Sequence, residues 1–451
     1  MTQNKITELR QTPIKQLLWR YFWPSFIGVM ANSLYNIVDR IFIGRILGAE
    51  ALSGVTAVFP VMIIMTAFGM LIGIGSSVQL SISLGKKDIN NAKKILGNAV
   101  ILIILISGLV TAIGFAFKEP MLKLFGAGNT TIGYAKDYLD LILWATLLHE
   151  FGFSMNALIR AEGNARIAMY SMLISAGINI PLDALFILHW NMGVQGAAYA
   201  TIISMAVLSL WVLFHFKSNR CVVQLKKKYI HLNFKLVLAI LSIGVSPFLM
   251  QLANSIVQAS FNINLVKYGG DLAVGTMGII NSVMVIIITS IVALNMASQP
   301  IISFNFGAKK YLRVKQTFKL SMLIASIIAS SFWVIVHTFP TAIVKTFLND
   351  DLQLIQMGVR GMHIFMIAMP LIGFQIVAGN YFQSVGKAST AIFLTLLRQV
   401  IVLIPLLWIL PYFYGLTGVW MSAPIADTIA AVICLIFVIH EWKRINKQLA
   451  F

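Results

Sequence analysis

Four carboxylates of this 451-residue chain lie within long apolar runs: Asp39 in NSLYNIVDRIFIG, Glu150 beside His149, Asp183 in NIPLDALFI, and Asp427. A carboxylate inside a hydrocarbon-spanning helix costs about 2.5–3.5 kcal/mol or more, so such groups face a cavity or a partner. Asn179 precedes Asp183 by one helical turn and shares its face. Asn32, Asn36 and Asp39 follow i, i+4, i+7 spacing and form a polar stripe on one helix. Thr201 in GAAYATIIS adds a hydroxyl. Two acids close together at low dielectric resist double ionisation. With amide and hydroxyl oxygens beside them, Asp39 and Asp183 can hold a proton or a Na⁺. The chemistry expected is therefore reversible ion binding. No Walker A, GxSxG or HExxH pattern is present, so neither enzymatic catalysis nor ATP-driven pumping is read here, no cofactor is expected, and the energy must come from an ion gradient. Cys221 and Cys434 fall in no metal or redox spacing and read as packing residues.

The elements that must position these groups are membrane spans. Hydrophobic residues make up 59% of the chain and charged ones 11%, against about 25% charged in soluble domains, and the mean hydropathy is +0.86. Apolar runs long enough to cross a hydrocarbon core recur throughout. Twelve are read, at about 17–43, 54–80, 95–116, 134–157, 166–188, 193–216, 236–262, 275–299, 317–341, 356–379, 388–411 and 417–440. The first follows a basic arm and is too long for a signal-peptide core, so it stays as a span. The net charge of +19 orients the chain: with a cytoplasmic N-terminus, 25 of the 34 Lys and Arg fall in cytoplasmic segments. That is the positive-inside pattern, with both termini inside. It is poor evidence for nucleic acid, and the partners expected are the bilayer and small molecules.

The chain also repeats itself. Gly48-Ala49-Glu50-Ala51 answers Gly270-Asp271-Leu272-Ala273, and the Gly85-Lys86 turn answers Gly307-Ala308-Lys309, both at an offset of 222. Gly163 answers Gly386 at 223, and GVQGAAYA answers GLTGVWMS at 222. A near-constant offset over four landmarks indicates duplication. The expected organisation is an N-lobe (1–216), a basic cytoplasmic linker (217–235) and a C-lobe (236–451). Six spans per copy imply a pseudo-twofold axis along the membrane normal with a cavity between the lobes. Span direction places Asp39, Asp183 and Thr201 at one depth, in the outer half. Their counterparts at offset 222 are Phe261, Pro405 and Ala423, so this cluster is confined to the N-lobe.

Pro24 in YFWPSFIG removes a backbone hydrogen bond within span one and marks a kink or a hinge. Arg40 points away from Asp39 as an i, i+1 neighbour and is expected to snorkel outward. Glu150 reads either as half of a local pair with His149 or as a second proton site. Gln251, Asn254 and Gln258 on span seven, Gln375 on span ten, and Glu150 are candidates for a substrate cavity. With 21 Met and 29 Phe available, a wall of Met, aromatic and amide groups suits flat, apolar cations.

LYNIVDRIFIG, SLGKKD, NIPLDALFI before GVQGAAYAT, and SQPIISFNFGAKK together resemble the multidrug and toxic compound extrusion (MATE) family, and look closest to its DinF-type and bacterial multidrug-export branches. The resemblance spans essentially the whole chain. It implies an all-α integral membrane fold of the MATE/MOP type, with twelve transmembrane helices in two six-helix lobes. It also implies cation-coupled antiport of organic cations, driven by H⁺ or Na⁺, across the bacterial cytoplasmic membrane by a monomer. Carried over residue by residue, the family's N-lobe cation site corresponds to Asp39, Asn179, Asp183 and Thr201, and its kink proline to Pro24. The NorM-like branch has acids on helices seven and ten, where this chain has Gln251 and Gln258 and no acid; the departure favours an N-lobe mechanism. The alternative within transport is a flippase for lipid-linked oligosaccharides. Such a protein would need cationic groups in its cavity for a pyrophosphate, and Arg398 is the only Arg or Lys deep in the C-lobe spans. A receptor or structural membrane protein is the third class.

Overall fold

The helices stop where the sequence supplies residues that a right-handed helix does not hold. In the computed structural model, which describes residues 2–219, 221–347 and 352–449, α1 (Thr2–Gln11) is followed by Pro13 and α2 (Ile14–Phe42), which runs unbroken through Pro24. Then come α3 (Ala49–Gly85), α4 (Ile89–Leu124), α5 (Ile132–Trp144), α6 (Thr146–Ala161), α7 (Ala165–Asp183) and α8 (Gly193–Lys217). The second half holds α9 (Phe234–Gly307), α10 (Tyr311–Thr338), α11 (Pro340–Lys345), α12 (Leu352–Phe365), α13 (Met369–Ser384), α14 (Ala388–Leu396) and α15 (Ile404–Leu449). No strand occurs among the described residues.

Among the described residues eight stretches are long and apolar enough to cross a membrane, and with each bent pair taken as one span the number is ten. Helix α9 has 74 residues, roughly 110 Å of helix and more than one crossing can use. Gly270, at φ 65°, divides it in two, and Gly415, at φ 55°, divides α15 in the same way. With both divided, the described residues hold twelve stretches of spanning length and apolarity. The same left-handed breaks occur one repeat earlier, at Gly48 (φ 89°) and Gly193 (φ 60°), a region that glycine enters without a Cβ penalty. The duplication read from sequence is thus written into the backbone.

The bent pairs depart from the straight spans expected at 134–157 and 356–379. Helices α5 and α6 meet at 56°, and α12 and α13 at 49°. At the first bend the hydroxyls of Thr111 and Thr146 donate to the Leu143 carbonyl at 3.1 and 2.7 Å, competing with the helix ladder. At the second, Pro370 brings no N–H to the opening turn of α13. Ala145 and Ile367, at the two bends, are again repeat partners.

Contacts divide the chain into two compact units, Met1–Phe248 with Ser303–Lys309, and Leu249–Ile302 with Lys310–Phe451. In the first, α3 packs on α4, α5 and α6, while α2 packs on α7 and α7 on α8. A Cβ on Gly85 would stand 2.0 Å from the Phe304 carbonyl oxygen, and one on Gly307 would stand 2.1 Å from that of Ile82. Only glycine permits backbones this close. The contact is reciprocal, since 85 and 307, and 82 and 304, are repeat partners. In the second unit α13 packs on α10 and α15, and α12 on α15.

Glu162, which the sequence places in a loop, is fully buried. Its carboxylate accepts from His215 Nε2 and Asn164 Nδ2 at 2.5 Å each, and from the backbone N–H groups of Val222 and Val223 at 2.9 and 3.2 Å. It ties the start of the linker to the α6–α7 turn. Cys221 beside it is buried. Burial, with the Glu162 charge adding to it, pushes its thiol up to about 12, so the thiol stays protonated and is a packing group.

Candidate functional site

The apolar face of α2 seats it on α7, and α7 lies on α8, which brings Asp39, Asn179, Asp183 and Thr201 into one region. All four are buried: Asp39 is 6% exposed, Thr201 4%, Asn179 and Asp183 0%. The carboxyls of Asp39 and Asp183 are close enough for their charges to interact. Both helices change pitch at these acids. A π-helical turn, Ile43–Leu47, follows α2, and another, Ala184–His189, begins directly after Asp183. The two turns touch each other and α8. Such turns are rare and concentrate at functional sites, because the extra residue opens the backbone ladder and redirects side chains. Beneath them lies an apolar cluster that includes Ile43, Val58, Leu139, Ile187 and Val194. It packs against the turns that follow the acids.

Buried polar atoms are normally hydrogen-bonded. Here one oxygen of Asp39, both oxygens of Asp183 and both amide atoms of Asn179 have no protein partner. Oxygens gathered without donors of their own fit a proton or a small hard cation as the missing partner. The sequence missed two phenols in this set. Tyr35 and Tyr138 both lie within the fields of Asp39 and Asp183, and Tyr138 lies beside Thr201. Tyr35 could have been found, being one turn before Asp39; Tyr138 carries no signal in α5 itself.

The other candidates are placed differently. Asn36 donates to the Asn32 carbonyl at 2.7 Å and is committed to its own helix. Arg40 lies with its guanidinium 3.9 Å above the Phe59 ring, held by a cation–π contact on α3. Glu150 is fully buried on the face of α6 that meets Gly69 of α3. Neither of its oxygens has a partner, and His149 Nδ1 has none either, so the local pair with His149 does not form; His149 stacks on Phe153.

In the second unit Gln399 Nε2 donates to Asn254 Oδ1 at 2.6 Å, and Asn254 Nδ2 to Gln251 Oε1 at 3.2 Å. Gln258 is exposed. Gln375 is buried and donates to the Asp427 carbonyl at 2.5 Å, while the Asp427 carboxylate pairs with Arg398 Nε. Of the substrate candidates, Glu150 lies in the first unit and Gln375 is bonded inward.

A model of the MatE family matches residues 24–185 and again 247–409, one match per repeat. The multidrug export protein MepA of Staphylococcus aureus (strain MRSA252) is 26% identical over 438 residues, 97% of this chain and 96% of that protein. MepA of Staphylococcus haemolyticus (strain JCSC1435) is 26% identical over 450 residues, 100% of this chain and 99% of that protein. A MATE crystal structure in the bent conformation superposes with a TM-score of 0.93 at 24% identity, over 99% of each chain; it shares the fold. Matched in both halves, and built of apolar spans around ionisable groups that belong to no catalytic motif, the chain is a multi-pass membrane transporter and belongs to the MatE family.

Proposed function

We propose that the protein is a cation-coupled antiporter in the bacterial cytoplasmic membrane, which exports amphipathic, largely cationic drugs or metabolites against entry of H⁺ or Na⁺. The observation that carries this reading is the set of unpartnered buried oxygens of Asp39, Asp183 and Asn179, with Thr201 and Tyr138 beside them. The MepA relatives, described as multidrug exporters, support the cargo class. Ion binding satisfies the orphaned oxygens in one conformation and so biases α2, with Pro24 as its hinge, toward release of cargo. An ion shifts such an equilibrium only by binding the two conformations unequally.

The test is dye export from proteoliposomes under an imposed pH gradient and then an imposed Na⁺ gradient. Asp39→Asn and Asp183→Asn should leave an inserted, folded protein whose gradient-driven export falls at least about tenfold. Coupled export retained in both variants would defeat the mechanism. The flippase reading has less support, because Arg398 is a single cation where a pyrophosphate calls for several.

A further inference from the structure

The second unit holds a charge pair for which the antiport mechanism has no use. Arg398 is the second residue of a π-helical segment, Leu397–Leu403, and its Nε bonds a carboxylate oxygen of Asp427. The pair is lopsided: the Arg398 side chain is 28% exposed, that of Asp427 3%. Net charge cancels, yet the accessible pole is positive. A guanidinium carries five N–H donors in a planar fork, and Asp427 takes the Nε hydrogen. Next in sequence, Gln399 is buried with its Oε1 unpartnered, and its amide holds Asn254. Gln375 fixes the Asp427 backbone and also has an unpartnered Oε1. Asn254 and Gln258 are exposed. Accessible polar and cationic groups in membrane spans face water or a ligand rather than acyl chains.

We infer that Arg398, held in place by Asp427, is the receptor for an anionic group on the cargo, so that the second unit selects zwitterionic amphiphiles over simple organic cations. The inference rests on the export reading and narrows its cargo class. A ligand carboxylate meets the outer N–H groups of Arg398 in charge-assisted hydrogen bonds. Asp427 keeps the guanidinium oriented. Without Asp427 the arginine would be an unneutralised, partly buried cation within a span, a cost that the pair avoids.

Tetramethylrhodamine as the free acid, a zwitterion, and its methyl ester, a cation, differ only at the carboxyl group. Their binding to the full chain in nanodiscs is read by fluorescence anisotropy. The native protein should bind the acid about tenfold more tightly than the ester, the worth of one charged hydrogen-bond set. Arg398→Gln should abolish the difference while leaving the affinity for the ester unchanged, and Arg398→Lys should keep part of it. Because a lone Asp427 could unfold the protein, the double variant Arg398→Gln/Asp427→Asn, which removes both charges, is measured as well and should behave as Arg398→Gln does. Equal binding of both dyes by the native chain, or an equal loss of both in the double variant, overturns the inference and leaves the export reading standing. If the native chain binds neither dye, the amphiphilic-cargo reading fails, and this inference fails with it.

Discussion

At the scale of single residues, two kinds of buried carboxylate share this chain. Asp39 and Asp183 lack donors and are suited to take up an ion, whereas Glu162 is saturated by four donors and is suited to stay put. The difference predicts opposite phenotypes. Glu162→Ala strands a histidine, an amide and two backbone N–H groups, and should cost about 3 kcal/mol or more of stability. A lower thermal midpoint of the purified protein in detergent checks this. Asp183→Asn, by contrast, removes a charge that had no partner, and its midpoint should hold or rise.

At the scale of elements, α2 and the reciprocal glycine contacts make separate predictions. Helix α2 is continuous across Pro24 although the proline cannot donate to the ladder. Pro24→Ala restores that donor and stiffens the helix. It should slow dye export by about tenfold with the thermal midpoint unchanged or higher; export at the native rate would reduce Pro24 to a passive kink. Gly85→Val and Gly307→Val each force a side chain into a carbonyl and should destabilise by about 1–3 kcal/mol. Because their contacts are repeat partners, the two losses should be similar in size, and two very different denaturation midpoints would break the equivalence.

At the scale of the whole molecule, coupling is reciprocal by thermodynamic necessity. The ion that drives export must weaken cargo binding, and cargo must weaken ion binding. If H⁺ is the driver, the cargo dissociation constant measured at equilibrium should rise as pH is lowered; if Na⁺ is the driver, it should rise with added NaCl at fixed ionic strength. Asp39→Asn should flatten the dependence in either case. A native protein whose cargo affinity responds to neither ion cannot be the proposed antiporter.

Much of this was legible before any coordinates. Hydropathy alone specified membrane spans, because a hydrocarbon core admits only long apolar helices. The 222-residue offset announced the duplication, and the i, i+4 and i, i+7 spacings picked out Asp39, Asn179 and Asp183, since helical period is a local property. What escaped depends on packing between segments remote in the chain. Tyr138 joins the acids only because α5 packs against α8. The bends at Ala145 and Ile367 arise from hydroxyl competition across helices and from a proline that hydropathy does not register. Glu162 sits in a polar loop by sequence, yet it is buried because the linker folds back over it. Arg398 and Asp427 stand 29 residues apart in sequence, and only the packing of α15 against the π-helical segment makes them a pair. Local order follows from local sequence; which charges meet is decided by tertiary contacts, whose energies have no one-dimensional signature.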